Sequence, residues 1–171
     1  MKLNIGCGLN ILDGYINIDK VKTTPDTVVK DILNLDYPAD SAEEIYLRHV
    51  IEHFFEEDIK KLLQSCYRIL RPGGKLVIET PDFERIVEAW TTGILPKELL
   101  NKVLFGFAAA VQTRERELHM MHKYVFDAEL LTRFLAEPGF TVVDVEKGVR
   151  PSDYDPKYGT YVTAMRVVAV K

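Results

Sequence analysis

Long apolar runs, disulfide-forming cysteines and surplus positive charge are all scarce in this sequence, and each shortage removes a class of protein. The longest apolar run, Val103 to Val111, falls far short of the roughly 20 residues that a bilayer-spanning helix needs, so no membrane partner is expected. Cysteine occurs twice, at Cys7 and Cys66, in a predicted strand-end turn and a predicted helix, which makes no secreted-type disulfide framework and fits a reducing compartment. Lys and Arg number 22 against 26 Asp and Glu, so no global field holds a polyanion, and nucleic acid is not expected as a partner. The chain reaches a Gly-Cys-Gly turn within eight residues, leaving no room for the apolar stretch of a signal peptide. Repeats, low-complexity tracts and linkers are also missing. What is left is a cytoplasmic protein of one domain, 1–171, with enough apolar residues (47%) for a sizeable core.

Among the features present, short β-type runs come first: Leu3 to Ile5, Tyr15 to Ile18 and Thr27 to Val29, each followed closely by Gly or Asp. A fourth, Ile45 to Leu47, leads into His49-Val50-Ile51-Glu52-His53. The clearest helical stripe follows, with Ile59, Leu62, Leu63, Cys66, Ile69 and Leu70 at i, i+3, i+4, i+7 spacing and Glu56, Glu57 and Asp58 at its positive end. Arg71-Pro72-Gly73-Gly74 ends that helix and turns the chain into a buried strand, Lys75 to Glu79, which Thr80-Pro81 stops. Residues 82–112 carry two more helical stripes, Phe83 to Trp90 and Leu99 to Phe107. Asp127 can cap a further helix over Leu130 to Leu135, and two β-rich runs, Phe140 to Glu146 and Tyr161 to Val170, are joined by a loop with Pro151, Pro156 and Gly159. Strands alternating with helices predict an α/β fold with a mostly parallel sheet, which binds ligands at the carboxyl ends of its strands. There the glycines, the aspartates and His49 collect.

Glycine at a strand end admits a ligand close to the backbone, so Gly6-Cys7-Gly8 is a candidate cradle. A carboxylate at the end of the second strand, Asp19, can accept from both hydroxyls of a ribose, and one further along, Asp31, can meet an adenine amine. Each piece alone is equally an ordinary turn or loop cap.

In order, Leu3 to Gly8, Gly14 to Asp19, His49 to Phe54 and Arg68 to Gly74 closely resemble the class I S-adenosylmethionine-dependent methyltransferases, especially the small bacterial type 11 group. His122 to Asp127 through Pro138-Gly139-Phe140 extends the resemblance over nearly the whole chain. It implies a Rossmann-like, mostly parallel seven-stranded sheet, or a reduced form of it, with an antiparallel C-terminal strand. It further implies that S-adenosylmethionine is the cofactor, with Gly6, Cys7 and Gly8 lining its methionine portion and Asp19 holding its ribose. Asp31 and the backbone of Ile32 would meet adenine, and His49 would lie beside the sulfonium. The partner implied is a small-molecule methyl acceptor, with the protein a monomer or homodimer.

Two departures stand out. Only Leu9 to Tyr15 separate the glycine turn from the second strand, so the first helix is expected to be shortened or missing. Asp19 follows Gly6 by thirteen positions, where a dinucleotide fold would want about 20 and a full helix facing pyrophosphate, which counts against NAD. The smaller departure is Ala42-Glu43, where relatives usually show Phe-Asp, and it is expected to alter packing at the strand's entry.

His49-x-x-Glu52-His53 also matches a zinc peptidase signature, which on one helix would set both histidines on a metal with the glutamate as base. Its start at a strand end and the following Phe54-Phe55 argue against that metallohydrolase, and no metal is expected. A third reading is a protein that binds S-adenosylmethionine without turnover. His119, His122 and Tyr124 follow the inserted helices; His122 and His53 are the candidate catalytic residues, since imidazole can take a proton near neutral pH. Residues 82–123 form a helical insertion within the domain and a candidate lid over the acceptor.

Overall fold

The computed structural model describes residues 1–106, 120–149 and 164–171. Seven strands form one sheet: β1 (Lys2–Ile5), β2 (Ile16–Asp19), β3 (Val28–Val29), β4 (Ala42–Arg48), β5 (Leu70–Pro81), β6 (Thr141–Val149) and β7 (Ala164–Val170). Their order is β3-β2-β1-β4-β5-β7-β6. β7 runs antiparallel to both of its neighbours and the other pairings are parallel, as the resemblance implied. The helices are α1 (Glu56–Ile69), α2 (Phe83–Thr91), α3 (Leu100–Phe105) and α4 (Ala128–Ala136). None is long and apolar enough to cross a membrane.

α1 forms where the stripe predicts it, with its buried side at Ile59, Leu62, Leu63, Cys66 and Ile69. Leu70 then adopts extended angles and begins β5, so the strand starts five residues earlier than expected. Between the pairs Ala42↔Leu70 and Glu44↔Lys75, β4 advances two residues while β5 advances five, and the Arg71-Pro72-Gly73-Gly74 segment is absorbed as an irregularity inside the strand. Gly74 is required there, because a Cβ would stand 2.8 Å from the Arg71 carbonyl. α3 stops at Phe105, before the expected end of its stripe, where Gly106 turns to φ 91°. Phe107, the rest of that stripe and Tyr161 lie outside the described residues.

Among the described residues the main core cluster takes one face of the sheet. Leu3, Ile5, Ile18, Ile45, Leu47, Leu76, Ile78, Met165 and Val167 meet α1 and α4 in a single cluster. No helix lies in the three connections before β4, so none of these can cover the other face. That face carries charge in register across four strands: Arg48 opposite Glu79, Glu79 opposite Arg166, Arg166 opposite Glu146. Glu79 is buried and shared, 3.3 Å from Arg48 Nε and 2.6 Å from Arg166 Nη2. Cross-strand opposite charges stabilise such a polar face, and two guanidinium partners offset the desolvation of Glu79. A cleft of about 400 Å³ opens on it, between Leu12, Tyr15, Glu44, Tyr46, Val77 and Arg166. The run Lys75 to Glu79, expected to be buried, is so from Leu76 onward: Leu76, Ile78 and Glu79 are buried, Val77 is half-buried and Lys75 is exposed.

Parallel strands usually need a crossover of a dozen or more residues, and residues 6–15 manage it without a helix. Two buried amides, paired in register at Asn4 and Asn17, do the work. Asn4 Nδ2 donates to the Asn10 carbonyl (2.7 Å) and to Asn17 Oδ1 (2.8 Å). Asn17 Oδ1 also accepts from the Leu12 N–H (2.9 Å), and its Nδ2 donates to the carbonyls of Leu12 (3.1 Å) and Tyr15 (3.2 Å). Backbone groups that a helix would have paired internally are thereby satisfied by side chains. Asn17→Ala strips these partners at once and should lower unfolding stability in urea by about 2–4 kcal/mol. An unchanged midpoint would show that the knot does not hold the connection.

Candidate functional site

The site lies along the carboxyl ends of β1, β2, β4 and β5. Gly6 ends β1 at φ 69°, and a Cβ there would lie 2.5 Å from Val50 Cγ2, so position 6 needs glycine for both conformation and space. Cys7 is buried, its N–H donating to the Ile18 carbonyl at 2.9 Å. Burial pushes its thiol up, with the Asp19 charge adding to the effect, so it is no ready nucleophile. Gly8, at φ 50°, faces open space: nothing lies within 4 Å of its would-be Cβ.

Asp19 closes the turn from the β2 end. Its Oδ2 accepts from the Gly8 N–H (2.8 Å) and its Oδ1 from the Val21 N–H (3.0 Å). A carboxylate offers about four lone-pair positions, so each oxygen keeps capacity for one further donor. The Gly8 carbonyl is held from the other side by the Thr23 hydroxyl, which also bonds Thr27 Oγ1 at 2.8 Å. An open glycine turn beside a partly exposed carboxylate fits the methionine and ribose portions of S-adenosylmethionine. Asp31 is exposed and already occupied, accepting from the Leu33 N–H (3.1 Å) and Asn34 Nδ2 (2.7 Å); Ile32 beside it is buried.

His49, just past β4, has φ 50°, a region costly for a residue other than glycine and concentrated at functional sites. Its N–H donates to the Glu79 carbonyl (2.8 Å), and its Nδ1 lies 2.9 Å from Glu52 Oε1. Glu52 is buried, and Thr80 Oγ1 donates to its other oxygen at 3.1 Å. Burial alone would raise this carboxyl, but the His49 hydrogen bond and the charges of His49, His53 and His122 outweigh it and hold it below the ordinary value. Residues Ile51–His53 form one 3-10 turn, so His49 and His53 do not share an α-helix face as the peptidase geometry requires.

Instead the chain after residue 120 supplies the neighbour. Lys123 and Tyr124 donate backbone N–H groups to the Glu52 carbonyl at 2.7 and 3.2 Å, and His122 comes edge-on to His53 with ring centroids 5.1 Å apart. Of the two candidate catalytic histidines, both therefore reach one cluster with Glu52; His119 lies outside the described residues. Burial depresses the basicity of His122, the Glu52 charge opposing that effect in part.

Sequence reasoning did not single out Thr80 or Asp82 for the site and considered Glu52 only as the base of the peptidase signature or as part of a plain helix start. Asp82 was legible as a cap in principle: it accepts the Glu84 N–H at 3.1 Å and starts α2. Its full burial was not, and its Oδ2 has no hydrogen-bond partner among the described residues.

Two predictions follow from these contacts. Gly6→Ala should cost about 2–4 kcal/mol through the left-handed backbone and the Val50 contact, while Gly6→Ala with Val50→Ala should cost less than the sum of the two single changes. Strict additivity in a double-mutant cycle would remove the contact from the account. Burial raises the Asp82 carboxyl above its ordinary 3.8, with Lys147 and the Glu84 N–H pulling the other way. A raised carboxyl gives stability that is present below the unfolded value and lost as pH rises through the folded one. Wild type should therefore lose stability relative to Asp82→Asn as pH rises from about 4, read as urea midpoints against pH; parallel curves would contradict it.

Comparison with known proteins agrees with this geometry. Residues 3–78 match the family model described as a methyltransferase domain. The chain is 31% identical over 75 residues to a phosphoethanolamine N-methyltransferase of Plasmodium falciparum, covering 42% of this chain and 28% of that protein. It is 24% identical over 140 residues to a probable S-adenosylmethionine-dependent methyltransferase of Mycolicibacterium smegmatis, covering 80% of this chain and 44% of the relative. The chain thus spans less than half the length of the curated relatives it matches. In fold it superposes on a SAM-dependent methyltransferase from Methanosarcina mazei with a TM-score of 0.71 at 14% identity, over 99% of this chain and 91% of that one. Residues 3–78 thus match a methyltransferase domain, and the chain as a whole is similar in sequence and fold to S-adenosylmethionine-dependent methyltransferases.

Proposed function

We propose that this chain binds S-adenosylmethionine along the carboxyl edge of β1, β2 and β4 and transfers its methyl group to a small-molecule acceptor in the cytoplasm. The observation that carries the reading is the open Gly8 turn locked to Asp19 by the 2.8 Å hydrogen bond. When bound, S-adenosylmethionine supplies an electrophilic methyl carbon on a sulfonium, which an acceptor oxygen, nitrogen or carbon displaces.

The chain's own part is alignment and shelter. Gly6, Cys7 and Gly8 line the methionine portion, and the spare lone pairs of Asp19 accept from the ribose hydroxyls. Asp31 and Ile32 border the adenine, with Ile32 giving apolar contact and Asp31 acting beside its turn-capping bonds. His49 sits at the sulfonium side, its ring oriented by Glu52. His53 and His122 face each other beyond it, and their imidazoles are the groups on this side that take a proton from the acceptor. Of the expected insertion 82–123, the segment 107–119 lies outside the described residues; residues 82–106 and 120–123 form the acceptor side, with Trp90 and Phe83 as partly exposed apolar surface.

Calorimetry with S-adenosylhomocysteine tests the reading. The wild type should bind, and Asp19→Ala should weaken binding by about 1–3 kcal/mol through lost charge-assisted hydrogen bonds. Because Asp19 also holds the Gly8 turn, the urea midpoint of the variant is measured alongside. Absence of binding by folded wild type at millimolar ligand would overturn the proposal.

A further inference from the structure

We propose that Glu52, His53 and His122 form a binding site for a divalent transition-metal ion of the zinc type. One donor atom from each lies within 4.8 Å of the others, in a cluster drawn from the turn after β4 and the segment before α4. This set differs from the sequence signature, because His49 serves as a hydrogen-bond partner of Glu52 and His122 takes the place of a ligand. The ions themselves favour the set: two imidazoles and one carboxylate suit zinc, cobalt or nickel, whereas calcium and magnesium want oxygen ligands.

The surroundings are those of a held ligand set. His53 Nδ1 lies 3.3 Å from the Met121 carbonyl, so a proton on that nitrogen leaves Nε2 as the donor. Both oxygens of Glu52 are oriented, by His49 and by Thr80. Such outer partners fix tautomer and aim in metal sites. The backbone is braced as well: Lys123 Nζ donates to the His53 carbonyl (2.8 Å) and the His122 N–H to the Phe105 carbonyl (3.1 Å). Tetrahedral zinc would draw the donors to about 3.3 Å apart, a contraction that side-chain rotation of half-buried His53 can supply. Three protein ligands leave a fourth position for water or for an oxygen or nitrogen of a bound small molecule.

The inference goes beyond the methyl-transfer reading and does not need it. The two readings touch at one point: imidazoles engaged with an ion cannot take a proton from an acceptor, so a loaded site and a histidine base exclude each other.

The full chain, stripped with chelator, is titrated with zinc by calorimetry and with cobalt by visible absorbance. The expected result is one equivalent bound at micromolar affinity or tighter, a cobalt spectrum of the intense tetrahedral kind, and a rise in Tm with excess zinc. His53→Ala and His122→Ala should each weaken zinc binding about a hundredfold or more, with circular dichroism confirming that they fold. Should buried Glu52→Gln fail to fold, the two histidine variants carry the test. Zinc bound equally well by both variants, or no binding by folded wild type, overturns the proposal. S-adenosylhomocysteine binding by the metal-free protein is read separately, so failure of the metal site and failure of the cofactor reading give different results.

Discussion

The rest of this structure depends on a sheet whose core is built on one face. A mostly parallel sheet ordinarily has helices on both sides, and its strands then read as continuous apolar runs. Here the three connections before β4 hold no helix, so α1 and α4 form the core with Leu3, Ile45, Leu47, Ile78 and Val167, and the other face carries polar residues that must find partners of their own. The Arg48, Glu79, Arg166 and Glu146 ladder is the consequence. A buried carboxylate between two guanidinium groups replaces the apolar contact that a second helical layer would have made.

The same economy explains the turn at the cofactor edge. Without a helix after β1, the glycine turn cannot lean on a helix N-terminus, and side chains hold it instead. Asn4 and Asn17 tie the loop from below, Asp19 ties Gly8 from the β2 end, and Val50 fills the space that only glycine at position 6 leaves. Each of these residues therefore serves fold and site together. Asp19 in particular supports the turn by accepting from the Gly8 N–H, which is why its substitution needs a stability control.

Beyond β4 the backbone makes a strained step at His49 and a single 3-10 turn, and this sets the second half of the site. Glu52 turns inward to His49 and Thr80, His53 turns toward the later segment, and His122 meets it. Glu52 organises this half of the site: its buried carboxylate holds the His49 imidazole and the Thr80 hydroxyl, and its backbone carbonyl accepts the N–H groups of Lys123 and Tyr124.

Much of this was legible in the chain itself. The stripe from Ile59 to Ile69 specified α1, Asp127 specified the start of α4, and the seven residues between Gly8 and Ile16 were too few for a helix, because helical periodicity, capping chemistry and chain length are local properties. The glycine turn with Asp19 was readable for the same reason. Other features were not. The Arg71 to Gly74 segment reads as a turn, and only pairing with β4 draws it into β5 as an irregularity. The burial of Glu79 toward the end of that strand becomes intelligible only once Arg48 and Arg166 are seen on the strands beside it. His53 and His122 stand 69 positions apart, and whether their rings meet at 5.1 Å is decided by how the segment before α4 crosses the end of the sheet. The sequence by itself determined the elements, their order and the residues at the strand ends; the tertiary structure decided which of those residues touch, since side-chain contacts across the sheet follow from the packing of distant elements and not from spacing along the chain.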